Sequence, residues 1–291
     1  MNNKYHILFS ILLWFCMAAV LPAQESMEQD MFDTMSEGDK AVVVVVHKNA
    51  DGDLGQEGIR LFEAKIQSAY SNCDFRQACT TQGAIADIPS PDELLGLLNK
   101  DGYTHVLMQT SDLFEGTDMQ YLRQIVETAQ GDFKHLRLGE PLLYDLSDYE
   151  ELAKFIIKDF SQSKEAGILV CQDAEGQFTP AYTMLDHVLR EESSQNWFVV
   201  NLNGKPSFTS LIKQMKAYKI KKVHLLPFNA KASEAIQAKW RKEFEKEGLK
   251  VTVAPKRLSQ QDAFLNLFLK HIQQAEKNRR LTAKEQKFIL R

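Results

Sequence analysis

The chain has 291 residues with 35 basic and 39 acidic side chains, a formal net charge of −4, and 44% hydrophobic residues. A mildly acidic balance carries no electrostatic footprint for nucleic acid, and a chain this long and apolar is able to bury one large or two medium cores.

In chain order, Lys4 lies in a short polar start, residues 7–20 are almost continuously apolar, and Leu21-Pro22-Ala23 follows. This is the layout of a secretory signal peptide, residues 1–23, cleaved after Ala23. The apolar run is shorter than the ~20 residues of a membrane span, so no transmembrane span is expected in the mature chain. Phe15 before Cys16 is too large for a lipid-attachment signal, which leaves lipidation at Cys16 as the rival reading. Export to the periplasm or outer membrane is the expected destination. Cleavage removes one basic side chain and leaves 34 against 39, a net charge of −5. Residues 24–39 are acidic, Met-rich and without period, as in a flexible lead-in. Cys73 and Cys79 would stand about 20 Å apart on an extended segment, too far for a bridge, and the odd count with Cys171 leaves a free thiol.

The first lobe, residues 40–147, opens with an all-valine strand at 41–46 suited to a parallel sheet covered on both faces. A polar loop at 47–58 leads into a helix at 59–70 with Ile59, Phe62, Ile66 and Ala69 at helical spacing. Strands at 75–80, 103–109 and 135–138 alternate with two helices. The first of these starts at the capping box Ser90-Pro91-Asp92-Glu93 and stops at Gly102; the second spans 119–128. A bridging helix is expected within 148–165. The second lobe, 166–258, repeats the order with strands at 166–171, 197–202, 223–226 and 249–254. Its helices lie at 182–191, 207–218 and 232–246, the last stopped by Gly248. Residues 259–278 form an amphipathic helix with Ser259 as its cap and Phe264, Leu265, Phe268 and Ile272 on one stripe, followed by a basic tail to Arg291 that reads as a solvated, frayed end. The fold class is therefore α/β, with two similar lobes, each a parallel sheet flanked by helices.

Ligands of open parallel sheets bind beyond the carboxyl ends of the strands. The candidate site residues are accordingly His47, Thr80, Thr110, Asp112 and Glu140 in the first lobe, and Gln172, Asp173, Asn203 and Asn229 in the second. His47 is the one imidazole of the set and the candidate axial or metal contact. His105 and His224 sit inside strands, His187 beside Asp186 on a helix surface, and Cys171 at the end of an apolar run. No Ser/His/Asp order, Walker loop or dinucleotide fingerprint is present.

Phe75-Arg76, Gly102-Tyr103 ahead of Met108-Gln109-Thr110, Gly116 with Asp118, and Gly139 before Pro141-Leu142-Leu143 carry a family pattern. It continues in Ala181-Tyr182 with Leu185-Asp186-His187, and in Val223-His224-Leu225-Leu226-Pro227. In this order, over about 42–275, the chain resembles the anaerobic cobalt chelatases, the sirohydrochlorin cobaltochelatases that insert cobalt into a tetrapyrrole on the way to cobalamin. The resemblance implies a bilobal class II chelatase-like fold with a tetrapyrrole in the interlobe cleft. It also implies metal ligands at a histidine after the first strand of the second lobe, a glutamate after the next strand, and a histidine in the loop after the Leu-Pro strand. This chain has Gln172 at the first position, Asn203 at the second, and a short loop at 228–232 without histidine; Asp112 replaces a first-lobe histidine.

Neutral amides are poor ligands for Co²⁺ or Fe²⁺ and cannot take up the pyrrole protons released on metallation. The expectation is an exported family member that binds haem or a related tetrapyrrole, with the metal-insertion centre largely lost and an outer-membrane uptake system as partner. The alternatives are an active cobalt- or iron-chelatase using displaced ligands such as His47, Asp112 and Asp173, and a scaffold for another protein. The scaffold would be marked by a cleft filled with side chains.

Overall fold

A computed structural model describes residues 30–162, 165–173, 179–193 and 196–277. The leader at 1–23, residues 24–29 of the lead-in and the tail from 278 lie outside the described residues; residues 30–39 pack on the fold, with Met31 buried and its amide donating to the Glu276 carbonyl at 3.0 Å. Each lobe is a four-stranded parallel sheet. In the first, β1 (Ala41–His47), β2 (Asp74–Cys79), β3 (His105–Thr110) and β4 (His135–Gly139) are ordered β2-β1-β3-β4. In the second, β5 (Ala166–Cys171), β6 (Trp197–Asn201), β7 (Lys222–Pro227) and β8 (Lys250–Val253) are ordered β6-β5-β7-β8, the same topology again. The expected pair of similar α/β lobes is present.

The valine run works because alternate residues of a strand face opposite sides of the sheet. Val43 and Val45 join Leu107 in a core that also takes in Leu169, Cys171 and Leu226 of the second sheet, so the inner faces of the two lobes share one apolar interior. Val42, Val44 and Val46 face the other way with Val106 and Met108, covered by α2 (Pro91–Lys100) and α3 (Thr117–Ala129). Ile168, Val170, Phe198 and Leu225 form the equivalent outer core of the second lobe. The punctuation holds: Ser90 N–H donates to the Glu93 carboxylate at 3.1 Å, and Gly102 and Gly248 have φ of +78° and +81°. Cys73, Cys79 and Cys171 are free thiols.

Two helices tie the lobes together. After β4, α4 (Leu146–Phe160) runs over to pack on α5 (Thr179–Glu192) of the second lobe; α9 (Asp262–Lys277) returns to cover β3, β4 and α1 (Gly55–Ala69) of the first. Ser259 does not cap α9. It sits in a short 3-10 turn, Leu258–Gln260, where its hydroxyl donates to the Leu54 carbonyl at 2.9 Å and anchors the returning chain on α1. The second-lobe helix expected at 232–246 is divided into α7 (Ala230–Ala235), a π turn (Ile236–Trp240) and α8 (Arg241–Lys246); α6 (Phe208–Ala217) precedes it.

Gly167 shows how tightly the second sheet is built. A Cβ there would lie inside contact distance of the Trp197 indole, whose Nε1 donates to Ser161 Oγ at 3.0 Å. Gly167→Ala is expected to destabilise the protein by about 1–2 kcal/mol through overpacking, read from the urea midpoint at unchanged m-value. A neutral result would show that the indole has room to move.

Candidate functional site

Strand order places the site. In each sheet the first strand is central, with crossovers leaving on both sides, and the crevice opens where the order reverses. In the first lobe this lies between the ends of β1 and β3, and in the second between the ends of β5 and β7. These two switch points face each other across the lobe boundary.

His47 at the end of β1 is buried. Its Nε2 lies 2.8 Å from Glu63 Oε1 and its Nδ1 3.0 Å from Ser111 Oγ, while Gln77 also donates to the same glutamate oxygen at 2.6 Å. The carboxylate accepts, so Nε2 donates to Glu63. Both nitrogens are engaged inside the first lobe, and a metal or haem iron would have to displace one of these bonds. Thr80 donates from Oγ1 to Asp118 at 3.2 Å, and Thr110 accepts from the Asp112 amide at 3.1 Å. Glu140 accepts from Arg123 at 2.7 Å. These three shape their loops, and Glu140 and Thr80 are held by their own lobe.

The second-lobe residues bind one another. Asn229 caps α7 by accepting from the Ala232 amide at 3.0 Å and donates Nδ2 to the Gln172 carbonyl at 2.7 Å. Asn203 donates Nδ2 to the Asp173 carbonyl at 2.7 Å, and Asn201 donates to Asp173 Oδ1 at 3.1 Å. Thus the ends of β5, β6 and β7 are knitted together by amides, which supply the donors and acceptors that turn three strand ends into one surface. Among the described residues, the buried Gln172 side-chain oxygen and Tyr182 hydroxyl have no hydrogen-bond partner.

Between the lobes remains a pocket of about 60 Å³, whose walls include Lys48, Asp53, Asp112 and Asp118 from the first lobe and Asp173 and Lys231 from the second. Burial, and after it the charges of Asp53 and Asp118, pushes the Asp112 carboxyl up to about 7. Burial also raises Asp53. Lys48 is held charged, its ammonium raised by the hydrogen bond to Asp118 at 2.7 Å. Beneath the pocket, Phe114, Tyr182 and Phe228 meet edge-on or tilted with ring centroids 5.1–6.1 Å apart, and the Ala230 amide donates to the Asp53 carbonyl at 2.9 Å. The lobes are closed on each other at this point. Among the described residues no three His, Cys, Asp or Glu side chains are grouped to hold a metal ion.

Of the nine residues named from sequence, Asp112 and Asp173 line this pocket; the other seven support the strand ends around it. Lys48, Asp53 and Lys231 were not anticipated. They follow β1 and β7 by only a few residues, and extending the strand-end rule into the next turn would have reached them.

Residues 36–277 match the family model described as cobalt chelatase (CbiK). The sirohydrochlorin cobaltochelatase of Salmonella typhimurium is 24% identical over 255 residues, covering 81% of this chain and 96% of that protein. Among solved structures, SirB from Bacillus subtilis with Fe³⁺ superposes with a TM-score of 0.58 at 15% identity, over 81% of this chain and 96% of that one. DR2241 from Deinococcus radiodurans, a multi-domain protein with structural similarity to chelatases, gives 0.59 at 14% identity over 84% of this chain and 56% of its own. These two likenesses bear on the fold.

Proposed function

The chain belongs to the cobalt chelatase (CbiK) family, and from that membership we propose that it is an exported member which binds a tetrapyrrole, haem or a related macrocycle, between its lobes and no longer inserts metal. The observation that supports this reading is the use made of the side chains of Asn203 and Asn229. Asn203 stands where the resemblance leads one to expect a metal-binding carboxylate and Asn229 lies in the loop where it leads one to expect a histidine; their amides hold the ends of β5, β6 and β7 to one another through the Asp173 and Gln172 carbonyls. Amides so employed neither ligate a hard or borderline cation well nor accept a proton.

A pocket of about 60 Å³ is far below the ~300–1,000 Å³ of a typical organic-ligand site. Binding therefore requires the lobes to part, breaking the Ala230–Asp53 hydrogen bond and separating Phe114 from Tyr182 and Phe228. The apolar faces so exposed would meet the macrocycle, and Lys48 and Lys231 would meet its carboxylates. An uptake system at the outer membrane is the partner such a carrier would serve. Titration of the protein with haem and with metal-free porphyrin is expected to shift the main absorption band at micromolar concentration. An unchanged spectrum rejects tetrapyrrole binding and favours the scaffold reading, whose mark is a cleft filled by side chains.

One observation favours a second reading, an active cobalt- or iron-chelatase in which the metal is substrate. Asp112, with its carboxyl near neutrality, is suited to take a pyrrole proton as metal enters. Anaerobic incubation with sirohydrochlorin and Co²⁺ or Fe²⁺ separates the readings: a rate above the protein-free control, lost in Asp112→Asn, establishes the enzyme.

A further inference from the structure

The pole of the second lobe opposite the pocket is strongly basic. Lys213 and Lys216 on α6, Lys219 and Lys221 in the following turn, and Lys222 and Lys250 at the starts of β7 and β8 are all exposed. They come together because parallel strands begin at the same end of a sheet: Lys222 is in register with Lys250, and the Lys250 amide donates to the Lys221 carbonyl at 2.8 Å. Lys219 takes a left-handed turn with φ of +58°, and beside it Tyr218 is 61% exposed.

Intramolecular needs do not account for this crowding. One or two lysines suffice to complement the carboxyl end of α6, and like charges this close repel. Among the described residues only Lys216 of the six has an ion-pair partner, Glu247 at 2.7 Å, and the one other acid bordering the patch, Glu165, receives a hydrogen bond from Thr252. Six lysines against two glutamates at this end leave the rest of the chain with 29 basic against 37 acidic side chains. The patch is thus opposite in sign to the charge balance of the rest of the chain.

We propose that this pole docks the protein on an anionic lipid bilayer. A planar surface meets one pole without approaching the acidic remainder, whereas a long polyanion extending past the patch would be repelled by it. Lysines, as hydrated point charges without the planar fork of arginine, suit diffuse attraction to headgroups better than recognition of one shaped ligand, and an exposed tyrosine is the side chain found at a bilayer interface. Docked in this way, the protein holds its interlobe pocket facing away from the membrane. The proposal does not depend on what the pocket binds.

The test is co-sedimentation of the full chain with vesicles of phosphatidylcholine alone and of phosphatidylcholine mixed with phosphatidylglycerol. Anionic lipid is expected to increase binding, and high salt to abolish the increase. With about 1 kcal/mol per lysine near an anionic surface, Lys219→Glu/Lys221→Glu/Lys222→Glu is expected to lower the anionic-lipid-dependent partition at least about a hundredfold. The corresponding triple Lys→Arg variant keeps it, which separates lost charge from lost fold. Equal binding to both vesicle types, or an undiminished increment in the Glu variant, overturns the proposal. So does binding of a DNA duplex or acidic polypeptide through the same lysines without binding of anionic vesicles.

Discussion

Asp148→Ala is expected to cost about 3 kcal/mol of folding stability at neutral pH, the loss typical of leaving several buried polar groups without their partner. Asp148 is 0% exposed at the start of α4. Its Oδ1 lies 3.2 Å from His271 Nε2 and 3.4 Å from Lys270 Nζ on α9, and its Oδ2 accepts from the Tyr144 and Asp145 amides at 3.1 and 3.0 Å. It joins the two helices that cross between the lobes. Alanine would strand a buried imidazole and two amides, and for a lone buried group the desolvation penalty is felt in full. Burial pushes the Asp148 carboxyl up, but the neighbouring His271 ring and the hydrogen bonds from the backbone outweigh it and hold the group below its ordinary range. A depressed carboxylate contributes stability that is present above the unfolded-state value of ~3.9 and is lost as pH falls through the folded value. The gap between wild type and Asp148→Ala should therefore be full at pH 7 and shrink below about pH 4. Urea unfolding at both pH values checks it; a cost under about 1 kcal/mol at pH 7 would show that the crossing helices do not depend on this pair. Asp148→Asn, which keeps an acceptor for the amides, should lose less.

That link also shows how far the sequence is readable. Valine runs, the Ser90 capping box and the glycines at 102 and 248 announce their elements through local backbone chemistry, and the repeated order of elements announces two parallel sheets. The stripe of Phe264, Phe268 and Ile272 says that the last helix buries one face; it cannot say that the face is the first lobe's, since amphipathicity carries no address. Ser259 reads as a cap on composition, yet tertiary contact with Leu54 claims its hydroxyl. At the site, the strand-end rule finds Asp112 and Asp173 because it follows from sheet topology. His47 looks like a free imidazole in a loop until Glu63, 16 residues on, is seen to occupy its Nε2. Lys48, Asp53 and Lys231 are ordinary surface residue types, and only the meeting of the two lobes sets them around one pocket.

The pocket carboxylates give the second large effect. Asp112→Asn is expected to stabilise the protein by about 2–3 kcal/mol at pH 8 and to change little at pH 4. Burial chiefly, and the negative Asp53 and Asp118 after it, hold the folded-state carboxyl near 7 from an ordinary 3.8, and Lys48 offsets only part of this. Below about pH 4 the carboxyl is protonated in folded and unfolded chains alike and stability does not depend on it. As pH rises from about 4 to 7 the unfolded chain releases the proton while the folded chain retains it, so stability falls over this window and levels off above it. At 1.36 kcal/mol per unit the full window amounts to about 4 kcal/mol, and water at the pocket mouth trims it to about 2–3. Asparagine keeps the shape and cannot ionise, so the variant should lack the decline. Wild-type and variant unfolding curves that run parallel from pH 4 to 8 would show that Asp112 ionises normally and would remove it as a proton acceptor in the chelatase reading. If the decline is present, deprotonation places a charge on the first lobe in the same pocket as Asp173 of the opposite lobe, and the repulsion acts on the contact that must open for a macrocycle to enter. Haem or porphyrin association should then be faster at pH 8 than at pH 6 in the wild type and insensitive to pH in Asp112→Asn.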